Sequence, residues 1–127
     1  LINDACFFAK KTLVSAAVTE FEGQLATYKG HLPDKPCYRC LFPAPPPPNT
    51  VRSCSDTGVL GAAAGVMGAL QALEVLKEVA GLGHGLAGRL LTYKALTAEF
   101  RNARLPKDPG CPLCGNVPTI SGLSADG

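Results

Sequence analysis

Cys37 and Cys40 stand in the string CYRC, and Cys111 and Cys114 in CPLC. Two C-x-x-C pairs supply the four thiolates that a tetrahedral structural zinc prefers. Each pair falls where a turn is expected, and Pro112 and Gly115 shape the second so that its sulfurs converge. A redox C-x-x-C and two disulfides are the other chemistries open to this spacing. A redox motif occurs singly at a helix start, so a second copy argues for ligands. The stretch between the pairs, 41–110, is far longer than the spacer of a compact zinc ribbon. The metal is therefore expected to staple a loop after an early strand to the segment after the last one. Closing so long a loop adds stability through chain entropy and through the metal itself. Four thiolates complete the set, which leaves His31 and His84 as surface loop residues.

Two cysteines remain. Cys6, in the apolar string DACFFA, reads as a buried packing residue. Cys54 follows a Pro-rich stretch and stands just before the most evident helix. There the macrodipole and free N–H groups favour a thiolate, and Arg52 adds positive charge. That setting suits a nucleophilic or sulfur-carrying cysteine. Asp56 opposes ionisation and no base is adjacent in sequence, so an inert loop thiol is the other reading.

The elements that must position these thiols follow from the apolar pattern. Residues 1–11 read as the end of a helix, 12–18 as a buried strand and 21–28 as a second, partly exposed one. PAPPPP at 43–48 lacks most backbone donors and prefers polyproline II, so 41–54 is expected to be a long surface connection. Residues 58–80 form the clearest helix. Ser55, Asp56 and Thr57 offer N-caps, Leu60, Val66, Leu70, Leu73, Leu76 and Val79 supply an inward stripe, and Gly81 stops it. Gly58, Gly61, Gly65 and Gly68 fit a helix packed so closely that only glycine is tolerated. Residues 89–93 and 99–105 read as a hairpin, and 115–127 as a polar, frayed end. The order β, β, long helix, β, β is that of an α/β layer.

Composition narrows the classes further. The 127 residues are 46% hydrophobic and carry a net charge of +2, which is too weak for nucleic-acid binding by electrostatics. Tryptophan is absent and aromatics are 6%, leaving little on which bases could stack. The uncharged apolar run at 59–70 is shorter than the ~20 residues of a membrane span. No signal-peptide pattern is visible, so a reducing, cytoplasmic setting is expected.

In order along the chain, LINDAC, FEGQL, CYRCLFPAPPPP, SCSDTGVLG, GALQALEVLK and PGCPLCG resemble the ThiF/MoeB family of E1-like activating enzymes. The likeness runs from Leu1 to about Gly115. It implies the C-terminal half of a Rossmann-like α/β fold, with a mixed sheet, a long Gly-rich helix and a four-cysteine zinc staple. Residues 1–115 would be a partial domain of this family, and 116–127 a tail or the start of a linker. CGNVPTI resembles the branch in which a rhodanese-like domain follows the zinc knuckle.

By the same resemblance, the complete enzyme is commonly a homodimer that uses ATP and Mg²⁺. It adenylates the C-terminal glycine of a small ubiquitin-like sulfur carrier protein, for molybdenum cofactor biosynthesis or tRNA thiolation. Cys37, Cys40, Cys111 and Cys114 match the family's zinc ligands. Cys54 matches the cysteine that forms a thioester, persulfide or acyl-disulfide link. The family's Gly-rich nucleotide turn lies before the region of likeness, and no GxGxxG follows a strand here. The chain alone is therefore expected to be inactive. Lys94 stands where the family has Asp, and Ala16 and Glu20 where it has Gly and Arg. A different class of reading is a non-catalytic zinc-stapled interaction module, or one half of a split activating enzyme. No direct nucleic-acid or membrane partner is expected.

Overall fold

A computed structural model describes residues 1–51 and 53–123, Cys54 by its backbone alone. Helix α1 (Ile2–Phe8) leads into strands β1 (Leu13–Thr19) and β2 (Glu22–Tyr28). Two short helices follow, α2 (Tyr38–Leu41) and α3 (Cys54–Thr57), and then the long α4 (Gly61–Ala80). Strands β3 (Arg89–Lys94) and β4 (Glu99–Arg104) complete the order. The strands form one sheet in the order β1-β2-β3-β4, every neighbour antiparallel. Mixed character is confined to two isolated parallel bridges, Glu20–Val59 and Thr27–Ala87.

Both hairpins are tight. Thr19 pairs with Glu22, so Glu20 and Phe21 alone make the first turn, and Glu20 takes a left-handed φ of 42°. Lys94 pairs with Glu99 across Ala95–Ala98, with Ala98 left-handed at 55°. Side chains alternate between the faces of a strand, and the core divides accordingly. Leu25, Met67 and Leu86 form the cluster under α4, together with Val14, Ala16 and Leu91. On the opposite face Ala26, Tyr28 and Leu105 cluster with Leu13, Leu41 and Leu90. Strand β2 is paired on both sides. It is partly exposed, as the sequence pattern suggested, at Glu22 and Gln24, and its last four residues are all buried.

Helix α4 differs most from its sequence expectation. Gly81 does stop it, in the left-handed conformation, with its N–H on the Lys77 carbonyl. The start is different: Leu60 occupies the cap position without a side-chain hydrogen bond. Ser53 and Asp56 instead cap the separate turn α3, the Asp56 carboxylate accepting from the Ser53 N–H and hydroxyl. The inward stripe is Ala63, Met67, Leu70, Gln71 and Glu74, while Leu73, Leu76 and Val79 are 52%, 61% and 82% exposed. A helix that is apolar on nearly every side gives its period no preferred phase. The phase is set by Gly23 of β2, whose missing Cβ makes the space that Met67 fills. Gly61, Gly65 and Gly68 meet nothing within 4 Å among the described residues, so close packing does not explain them here. No helix among the described residues is long and apolar enough to cross a membrane.

Candidate metal centre and adjoining groove

The helix α2 is a single turn with Cys37 at its cap and Cys40 near its end, which brings both sulfurs to one side. The second pair sits in a turn that begins at Pro109. Gly115 is required there, because a Cβ would lie 2.5 Å from the Cys111 carbonyl oxygen and 2.6 Å from that of Pro109. Gly30 plays the same part beside the first pair, where a Cβ would meet Cys37 Cβ at 2.5 Å.

The structure brings all four cysteines together. Their sulfurs lie within 4.8 Å of one another, with Cys37 Sγ 3.7 Å from Cys111 Sγ and Cys40 Sγ 3.3 Å from Cys114 Sγ. Four sulfurs at zinc–thiolate distance from a tetrahedral centre stand about 3.8 Å apart, so the cage fits a metal ion of that kind. Backbone N–H groups of Asp108 and Cys114 point at Cys40 Sγ and Cys111 Sγ, a further set of donors suited to thiolates. Leu113, Phe7 and Ile120 pack against the cluster.

Packing four thiols together sets their protonation. Hydrogen bonds from Cys114, against the opposing cost of burial, with help from Cys111 and the backbone, bring the Cys37 thiol down to about 5. Its hydrogen bond to Cys37 pushes the Cys114 thiol up, and burial does the same to Cys111. The thiols of Cys37 and Cys114 are thus driven in opposite directions. A divalent cation is what allows all four to ionise.

The remaining sequence candidates fall elsewhere. Cys6 is half-buried rather than buried, and outside the cage. His84 is exposed as expected, but His31 is half-buried, with Nδ1 enclosed and lacking a partner. Cys54 begins α3, downstream of the proline run; its side chain and Arg52 lie outside the described residues. GHGLAG at 83–88 has the glycine spacing of a phosphate-binding turn. It leaves a helix and enters a strand, the reverse of the order that such a turn needs.

One constellation escaped the sequence reading. Asp4 on α1 and Arg39 on α2 form a buried pair, 4% and 8% exposed. Nε and Nη2 of Arg39 donate to the two Asp4 oxygens at 2.8 and 2.7 Å. Nη1 donates to the Pro43 carbonyl at 3.0 Å, and Asn3 Oδ1 accepts from the Tyr38 N–H. The hint was an arginine between two ligand cysteines, in a string otherwise poor in charge.

Beside this pair lies a groove of about 680 Å³ on the sheet face away from α4. Its floor is Ser15, Ala17 and Thr19 of β1 with Gln24, Ala26 and Tyr28 of β2. Phe42, Ala44, Pro45, Pro46 and Val51 roof it, and Asp4 and Arg39 stand at one end. Burial pushes the Tyr28 hydroxyl up, so it stays protonated as a donor. Past Val51 a second hollow of about 640 Å³ shares Thr19 and Glu22 with the first and runs on to Thr57 and Lys94. The first lies beneath the Pro-rich segment, and the second adjoins it at Thr19, Glu22 and Val51.

Comparison with known proteins follows the same lines. The profile of the ThiF family matches residues 1–113. Adenylyltransferase and sulfurtransferase MOCS3 of Bos taurus is 55% identical over 124 residues, which are 97% of this chain and 27% of that protein. The protein of the same name from Anopheles gambiae is 50% identical, over 97% of this chain and 28% of its own. The chain thus spans about a quarter of the length of these curated relatives. Among solved structures, E. coli MccB with MccA-N7isoASN superposes with a TM-score of 0.72 at 16% identity, covering 91% of this chain and 36% of that one. The fold is therefore that of the E1-like enzymes.

Proposed function

The chain belongs to the ThiF family, and from that premise we propose that it is the metal-stapled, tail-binding part of an ATP-dependent adenylyltransferase and sulfurtransferase. The substrate is a small ubiquitin-like sulfur carrier protein, activated at its C-terminal glycine for molybdenum cofactor biosynthesis or tRNA thiolation. The observation that carries the reading is the passage beneath residues 42–51. It comprises a mostly apolar groove of about 680 Å³ and a second hollow of about 640 Å³ that shares Thr19, Glu22 and Val51 with it. A flexible glycine-terminated tail is the kind of ligand such a passage takes, and the relatives' printed activities are those of such an enzyme.

The cage Cys37, Cys40, Cys111 and Cys114 holds zinc, which all-thiolate tetrahedral sites favour. Bound there, zinc supplies a redox-inert cross-link. These four residues hold α2 against the turn at 109–115 and so fix one end of the roof. ATP and Mg²⁺ act elsewhere in the complete enzyme, which works as a homodimer. There the tail carboxylate and ATP give an acyl-adenylate and pyrophosphate. The Cys54 thiolate attacks the adenylate carbonyl, forming a thioester and releasing AMP. Residues 1–115 are this chain's share of the domain, and Asn116, Thr119 and Ile120 hydrogen-bond back to its turn at Pro109 and Pro112.

ATP–pyrophosphate exchange tests the division of labour. The chain alone should give none, and joining it to the nucleotide-binding half of a ThiF-family enzyme should give carrier-dependent exchange. Appreciable exchange from the chain alone would refute the proposal.

A further inference from the structure

The roof of the groove has almost no attachments of its own. Five of the eight residues from 41 to 48 are prolines, which donate no backbone hydrogen bond. Among the described residues from Pro43 to Val51, the Thr50 N–H and hydroxyl both turn back to the Pro47 carbonyl, inside the roof itself. Phe42, at its start, is held by its N–H on the Tyr38 carbonyl and by the Tyr38 ring; beyond it, among the described residues, a single hydrogen bond ties Pro43–Val51 to the body of the protein, from Arg39 Nη1 to the Pro43 carbonyl. Beneath it lies open volume rather than packed side chains. The position of the roof beyond Phe42 therefore depends on where that guanidinium is held.

Two independent restraints hold it. Asp4 takes the other two edges of the fork, Nε and Nη2, so that Nη1 alone is left to point outward. The backbone of Arg39 is fixed because its neighbours in α2, Cys37 and Cys40, are committed to the cysteine cage. A lysine has the charge but not the fork: one ammonium cannot keep both carboxylate bonds and reach Pro43.

We infer that Arg39 is a positioning residue, which transmits the state of the metal cage to the Pro-rich roof and so sets the height of the groove. Metal release would loosen the roof before it unfolds the sheet, whose strands are paired without any contribution from the cage. The inference uses the proposed tail passage for its consequence, since a loosened roof would weaken tail binding. Its test does not depend on that reading.

The test is limited proteolysis of this chain, loaded with one zinc, with subtilisin and mass-spectrometric mapping of the cuts. Arg39→Lys should retain the metal, while at a temperature where it stays folded the first cuts within 43–53 become about five-fold faster, as expected for losing one hydrogen bond. Cuts elsewhere should keep their rates. Chelation should accelerate the same cuts in the native chain, and add little in Arg39→Lys, because both changes act through one contact. Asp4→Asn, which frees the fork, should fall between the two. Native-like cutting in Arg39→Lys would overturn the inference, and so would an undiminished effect of chelation. Loss of the metal in Arg39→Lys would also overturn it, by assigning the residue to the cage instead of the roof. A sulfur-carrier KM raised with kcat unchanged in the complete enzyme would extend the result to the tail. An unchanged KM beside faster cutting would count against the tail passage alone.

Discussion

Asp4 and Arg39 face each other through two parallel hydrogen bonds, 2.8 and 2.7 Å long, in a place almost closed to water. They join α1 to α2 across thirty-five positions of sequence. Breaking such a pair leaves one buried charge without a partner, whereas removing both charges need not destabilise. Asp4→Ala should cost about 3–5 kcal/mol, and Asp4→Leu with Arg39→Met should recover most of it. Urea unfolding of the native chain and the two variants measures both values. A double variant as unstable as Asp4→Ala would contradict the pairing argument.

The same pair has a pH signature. The Arg39 hydrogen bonds, against the opposing effect of burial, hold the Asp4 carboxyl below its ordinary range. A depressed folded pKa stabilises the fold above the unfolded carboxylate value of about 3.9, and that contribution is lost as pH falls through the folded value. The stability difference between the native chain and Asp4→Asn should hold steady from about pH 7 to 5 and shrink below about pH 4. Taking the difference cancels acid protonation of the cysteine cage, which both proteins share.

The cage itself should be stoichiometric. Metal analysis of the purified chain is expected to give close to one zinc per molecule. Cys111→Ser should lose most of that zinc and lower the melting temperature by about 10 °C or more, the equivalent of roughly 3 kcal/mol in a domain of this size. Gly115→Ala should do nearly as much without touching a ligand, because its Cβ has no room between two carbonyl oxygens. Full zinc occupancy in Gly115→Ala would show that the turn can relax.

On α4 the expected sign is reversed. Gly65 and Gly68 face open space, so Gly65→Ala and Gly68→Ala should each stabilise the isolated chain by about 0.5–1 kcal/mol through helix propensity. Thermal melts decide it. If the same changes destabilise the complete enzyme, another surface lies against this face there.

Cys54→Ala, made in the complete enzyme, should abolish sulfur transfer and leave carrier adenylation within about two-fold of native. Pyrophosphate exchange and thiolation of the carrier, measured on the same preparation, separate the two steps. Intact transfer would return Cys54 to the class of inert loop thiols.

The strands, the polyproline stretch, the stop at Gly81 and the grouping of the four cage cysteines were all legible in the sequence. Each leaves a local mark: alternation, missing donors, a left-handed glycine, a C-x-x-C spacing. The pairing of Asp4 with Arg39 left only the arginine between two cage cysteines as a mark, and nothing pointed to Asp4 as its partner, because the two are far apart in sequence. The phase of α4 was hidden for a different reason. Leu73, Leu76 and Val79 are as apolar as the core, so only the Gly23 gap opposite Met67 decides which side turns inward. Glu74 shows the same limit. A glutamate in an apolar helix reads as solvent-facing, yet it is 6% exposed, accepting from the Leu86 N–H and pairing with Lys77.

The cage also imposes an order on synthesis. Partner sulfurs across it, Cys37 with Cys111 and Cys40 with Cys114, are separated by 74 residues. At 5–20 residues per second, the second pair emerges from the ribosome roughly 4–15 s after the first. An ion captured early by Cys37 and Cys40 waits with half its ligands until β3 and β4 have been made. Full coordination thus requires a chain translated beyond β4 to Cys114.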